Sequence, residues 1–127
     1  MNMNALIIEK TEETPEVVLD PETNTFRLAH RSLPENANGF YAPVFEWLEE
    51  FKQNPSQDIK FVFELEYFNT ASAKQIAKIL LILEKISNDV DIEIVWRYRK
   101  EDADMQSSGL RYSKLLEVDF LLEEIED

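Results

Sequence analysis

The sequence predicts an α/β (α+β) fold, one domain over residues 1–127 with a mixed β-sheet and helices mainly on one face. Two observations carry this. EVVLD and TFRLA, β-branched and alternating, flank the turn segment DPETN and read as an antiparallel hairpin. Downstream, stretches with apolar residues at helical spacing alternate with strand-like runs, the pattern of parallel strands joined by helices.

The elements follow in order. Ala5–Glu9 (ALIIE) is a short apolar run and a first strand. Glu16–Asp20 and Thr25–Ala29 form the hairpin, with Val17, Leu19, Phe26 and Leu28 on its buried face. In Arg31–Tyr41, Ser32 and Glu35 have the spacing of a capping box, and Asn38-Gly39 is a turn or cap signal. Phe40, Val44, Trp47, Leu48 and Phe51 then recur at helical spacing. Pro43 belongs in a first turn, which predicts a helix start near Tyr41 or Ala42, and Asn54-Pro55 ends it.

Lys60–Phe68 (KFVFELEYF) alternates, with Phe61, Phe63, Leu65 and Tyr67 on the core face and Val62, Glu64, Glu66 and Phe68 opposite. Tyr67 is then a core residue with its hydroxyl near the surface. Ala73–Ile86 is a helix whose apolar stripe is broad enough to pack on more than one element. Asp91–Trp96 is a strand and Arg97–Asp104 a charged loop. Met105–Leu116 is a weaker helix, interrupted by Ser107-Ser108-Gly109, and Val118–Ile125 fits a strand or a short helix.

Bulk composition narrows the function. A chain of 127 residues with 44% hydrophobic and 11% aromatic residues can bury a core without staples, which argues against disorder. With 26 acidic against 13 basic residues the net charge is −13, a surface that repels phosphate backbones and anionic lipid. Nucleic acid and membrane are therefore not the expected partners; a protein with a basic face is. The absence of cysteine excludes disulfides, thiol nucleophiles and zinc–thiolate sites and suits a reducing cytoplasm. MNMNALIIEK lacks the basic leader of a signal peptide, and no apolar run nears the ~20 residues of a membrane span. The expected location is cytoplasmic.

Chemistry within the chain is poorly provided for. The single histidine, His30, cannot anchor a multi-histidine metal site, and Glu101, Asp102 and Asp104 read as solvated loop acids or a weak Mg²⁺ contact. No nucleophile elbow or phosphate-cradling loop is present, and plentiful acids without a pattern leave carboxylate catalysis as a minor alternative. The expectation is a non-enzymatic protein without metal or cofactor.

One stretch stands out. Tyr67–Lys74 (YFNTASAK) joins the most strand-like segment to the most apolar helix, at the strand's carboxyl end, where ligands collect in α/β folds. Ser72 with Gln75 makes a capping box, so Ser72 is the favoured cap, Asn69 shapes the turn and Thr70 is left without structural duty. If Asn69 caps instead, Thr70 lies in the first turn with its hydroxyl outward. A phosphate on Thr70 meets free N–H groups and the positive helix end, with Lys74 about one turn away. Ser32, Glu35 and Asn36 are polar and can lie beside it at the same sheet edge. On the residues alone a plain cap and a phosphorylation switch both stand, the cap being the commoner use of such residues.

Four stretches carry a family resemblance: TPEVVLD, RSLPENANGFYAPVFEWLEEF, FELEYFNTASAKQIAKILLILE and VWRYRKEDADM. They resemble the SiaC family of bacterial regulatory phosphoproteins, related in fold to the STAS-type anti-sigma-factor antagonists; SLPENA and YFNTASAK are its distinctive motifs. The resemblance implies a STAS-like partner-switching module. The threonine of the FNT motif, here Thr70, is then phosphorylated by a kinase of the histidine-kinase-like ATPase fold. A metal-dependent PP2C-type phosphatase removes the phosphate. The unphosphorylated form binds and activates a diguanylate cyclase or another regulatory protein, linking the switch to cyclic-di-GMP and biofilm formation. Arg97, Arg99 and Lys100 depart from the more acidic family pattern after the tryptophan.

Overall fold

The computed structural model describes residues 3–126. The chain runs β1 (Leu6–Ile8), β2 (Glu16–Asp20), β3 (Thr25–Ser32), α1 (Ala37–Gln53), β4 (Ile59–Phe68), α2 (Thr70–Ile86), β5 (Ile92–Arg99), α3 (Ala103–Leu115) and β6 (Asp119–Ile125). One six-stranded sheet has its strands in chain order. β1, β2 and β3 pair antiparallel, and β3 to β6 pair parallel. Each parallel crossover steps to the next neighbour in the same direction. Right-handed crossovers that all step one way put their helices on one face.

The register explains the core. Leu19, Phe26, Phe61, Ile94 and Phe120 form one inward row across five strands. Val17, Leu28, Phe63, Trp96 and Leu122 form the next. Against them lie Tyr41, Val44, Trp47, Leu48 and Phe51 of α1, and Ile76, Ile79, Leu80, Leu83 and Ile86 of α2. Trp96 is the hub: its ring packs on Phe63, Phe68, Tyr112 and Phe120, and its Nε1 donates to the Met105 carbonyl at 3.0 Å. The opposite sheet face carries ion pairs, with Arg97 between Glu64 (3.2 Å) and Glu123 (2.6 Å) and Arg27 on Glu16 (2.8 Å).

The structure corrects several elements read from sequence. β5 continues through Arg99 because WRYR alternates: Tyr98 turns inward while Arg97 and Arg99 reach Glu64, Glu123 and Glu66 on the open face. Arg97–Arg99 is thus strand, and of the expected charged loop only Lys100–Asp102 remains, as the turn into α3. α1 starts at Ala37, ahead of the Tyr41 or Ala42 suggested by Pro43, because Asn36 caps it and accepts from the Gly39 N–H. Pro43 costs only the bond to the Gly39 carbonyl, on an exposed residue. The earlier start also makes Tyr41, rather than Phe40, the fully buried aromatic of the first turns.

Ser107-Ser108-Gly109 does not break α3. Gly109 is where that helix touches the hub: a Cβ there meets the Trp96 ring at 2.3 Å and Leu122 at 2.8 Å. The last segment is a strand. Among the described residues no helix is long and apolar enough to cross a membrane.

Candidate functional site

The three βα joints of the parallel strands all lie at the carboxyl edge of the sheet, and the joint from β4 to α2 is the most elaborated. Just before it, the β3–β4 ladder shifts: His30 pairs with Leu65 and Arg31 with Tyr67, so Glu66 is an extra residue on β4. His30 takes the strain on the other strand, with φ at 79°. The bulge resets the alternation. Tyr67, expected in the core, is 54% exposed, and Phe68 turns inward to meet Trp96 edge-on.

The chain then enters α2 through Asn69, whose Oδ1 accepts the Ser72 N–H at 2.9 Å. Asn69 is the cap, and the Ser72–Gln75 capping box does not form. Thr70 is the first helical residue, exposed, and its hydroxyl makes no hydrogen bond among those of the described residues. Ser72 is instead fully buried. Its Oγ donates to the Ser32 carbonyl at 3.0 Å and accepts from Ser32 Oγ at 2.8 Å. With both serine protons committed, the 2.6 Å contact between Ser32 and Tyr41 is a bond that the Tyr41 hydroxyl donates. Burial pushes the Tyr41 hydroxyl up to about 12, against the smaller opposing effect of its serine partners, which keeps that donor protonated.

Ser32 is therefore no helix cap; the Ser32–Glu35 capping box is also absent. It is the last residue of β3, tying that strand to both α1 and α2, and its carbonyl takes the Asn69 N–H as well, at 3.2 Å.

Above this buried network lies a cleft of about 480 Å³ between the N-termini of α1 and α2. Glu35, Asn36 and Asn38 line one side, Thr70, Lys74 and Gln75 the other. Gln75 crosses the floor, its Nε2 donating to Asn38 Oδ1 at 2.8 Å. Neither helix has an acid in its first turn. The acids at the third joint behave differently: Asp102 caps α3, accepting the Met105 N–H at 2.9 Å, and Asp104 lies in its first turn.

The model of the SiaC family of regulatory phosphoproteins matches residues 8–125. The chain belongs to that family.

An uncharacterized protein of Pseudomonas aeruginosa strain UCBPP-PA14 is 27% identical over 101 residues, covering 79% of this chain and 80% of its own. The structure of SiaC of Pseudomonas aeruginosa superposes with a TM-score of 0.86 at 23% identity, over 97% of this chain and 100% of that one. A chain in the crystal structure of the diguanylate cyclase SiaD in complex with its activator SiaC, from the same organism, matches with a TM-score of 0.86 at 22% identity, over 94% of this chain and 99% of that one. These likenesses establish a shared fold: a mixed six-stranded sheet with three helices.

In this SiaC-family chain the residues singled out from sequence separate into three groups. Glu35, Asn36, Thr70 and Lys74 meet around the cleft. Ser32 and Ser72 lie buried in the hydroxyl network, and Asn69 holds the turn. Tyr67 does not line the cleft; it stands exposed at the bulge. Sequence reasoning missed Tyr41 as a partner of the network, and saw Asn38 only as a turn or cap signal and Gln75 only as a cap partner. Gln75 did leave a signal: an amide inside the apolar stripe of α2, beside Ile76 and Ile79, needs a polar neighbour.

Proposed function

We propose that Thr70 is a phosphorylation switch that governs the docking of a protein partner at the α1–α2 edge. A kinase of the histidine-kinase-like ATPase fold transfers the γ-phosphoryl group of ATP to Thr70 Oγ1; the hydroxyl proton passes to a base on the kinase and ADP leaves. A PP2C-type phosphatase adds water across the resulting P–O bond, restoring the hydroxyl and releasing phosphate. The unphosphorylated form binds and activates a diguanylate cyclase in the cytoplasm. Membership of a family of regulatory phosphoproteins supports the phosphoprotein part. The complex of Pseudomonas aeruginosa SiaC with the cyclase that it activates supports the choice of target.

The observation that carries the reading is the division of labour at the start of α2. Asn69 caps the helix and Ser72 anchors it, so Thr70 is an exposed hydroxyl with no structural task. Phosphorylation adds about −1.5 to −2 charges there. A partner seated over the joint then has to bury a dianion, which costs several kcal/mol unless it supplies matching cations.

The test is a cyclase assay with the host's own diguanylate cyclase. Unmodified protein and Thr70→Ala should both raise cyclic-di-GMP production, and the Thr70-phosphorylated form should not. Equal stimulation by the phosphorylated form would sink the switch. It would favour a constitutive binding domain in which Thr70 merely begins a helix.

A further inference from the structure

We infer that the phosphate on Thr70 is held in cis by the N-terminus of α1, so that the modification clamps α1 to α2 across their cleft. This rests on the reading of Thr70 as the phosphorylated residue and says what the phosphate does to the protein that carries it.

Two observations point there independently. The first is a set of donors with nothing to donate to. Asn36 takes the Gly39 N–H and Asn69 takes the Ser72 N–H, so the N–H groups of Ala37 and Asn38 on one wall, and of Thr70 and Ala71 on the other, have no acceptor among the described residues. Lys74 lines the same cleft and is in no ion pair among the described residues. Neither first turn holds a carboxylate, and Glu35, exposed at the rim, is the one acid among the described lining residues. In a chain of net charge −13, two converging positive helix ends with so little acid between them form a local exception.

The second is a buried amide used at one end only. Gln75 is 4% exposed, and its Oε1 has no hydrogen-bond partner among the described residues. Leaving such a buried group unpaired is unfavourable, because its bond to water is lost without replacement. Its other end is bonded to Asn38, on the facing helix. If both terminal amides turn over, the bond persists with Asn38 as donor, and Gln75 Nε2 takes the place of the unpaired oxygen, as a donor on a residue that lines the cleft. A phosphate oxygen accepts from that nitrogen and from the free N–H groups. Phosphorylation thus supplies a partner to a buried amide that finds none among the described residues.

The experiment uses the full chain with phosphothreonine installed at position 70 during synthesis, so that no kinase is needed, followed by ³¹P and ¹H–¹⁵N NMR across pH. The amide protons of Ala37 and Asn38 should move downfield and titrate with the phosphate, alongside those of Thr70 and Ala71. The phosphate midpoint should fall below its ordinary value of about 6. In Gln75→Leu, or in Asn38→Ala should the first variant fold poorly, the α1 response should shrink while the Thr70 and Ala71 response persists. If the phosphate shifts only Thr70 and Ala71 and leaves α1 silent, the clamp does not form. Failure of a kinase to label Thr70 overturns the switch instead, a result that this installed phosphate cannot produce.

Discussion

α2 and α3 enter the fold in the same way, each following a parallel strand at the same sheet edge, yet their N-termini are built for different ends. α3 neutralises its own positive pole: Asp102 caps it and Asp104 sits in the first turn. It then locks onto Trp96 through Gly109 and Met105. α2 has an uncharged cap, no acid in its first turn, an exposed threonine and an open cleft shared with α1. Its stability comes from beneath, through Ser72 and the hydroxyl chain to Ser32 and Tyr41. Where the pole is neutralised the joint is structural. Where it is left open, with a firm anchor below, an added anion can be received without loss of the fold.

The contrast can be broken most forcefully at Gly109. Gly109→Ala drives a methyl group into the Trp96 ring and should cost about 1–3 kcal/mol, read as a lowered midpoint in urea denaturation. A neutral outcome would mean that α3 rides loosely on the hub.

Tyr41 tests the anchor of α2. Its hydroxyl titrates near 10 in the unfolded chain and is pushed up to about 12 in the fold, so between those values the unfolded state has lost a proton that the folded state keeps. The stabilisation is complete below pH 10 and is lost as pH rises through about 12, on the order of 2–3 kcal/mol in all. Alkaline denaturation should show this fall in the natural protein and a flatter profile in Tyr41→Phe. That variant should already be less stable at neutral pH by about 1 kcal/mol, through the lost bond to Ser32.

The caps should be alike: Asn69→Ala and Asp102→Ala should each cost about 1 kcal/mol in thermal or urea unfolding. The smallest effect sharpens the comparison most. Thr70→Ala should change stability by no more than about 0.5 kcal/mol, because no described bond ends on that hydroxyl. A loss near that of the caps would give Thr70 a structural task after all.

Much of this arrangement was legible in the sequence. β2, the apolar stripes of α1 and α2, and the strand-to-helix change at YFNTASAK follow directly from periodicity. What was not legible depends on contacts between distant segments. Alternation put Tyr67 inside because nothing local announces the extra residue Glu66; the bulge exists only against β3. Ser32 and Ser72 have the spacing of caps, yet each is claimed by the other, forty residues away. Gly109 reads as a helix breaker until Trp96 is seen against it. Asn36 and Asn69, both plausible turn residues, outcompeted the serines because their caps leave those serines free for the buried network.

The most direct test of the switch is phosphate mapping of this chain by mass spectrometry, on the natural protein and on Thr70→Ala, each incubated with ATP and its host's extract with phosphatases inhibited. A single phosphate on Thr70 of the natural protein, and none on the variant, is the expected result. Phosphate on Ser72 or elsewhere, or no phosphate on either protein, would contradict a switch at Thr70.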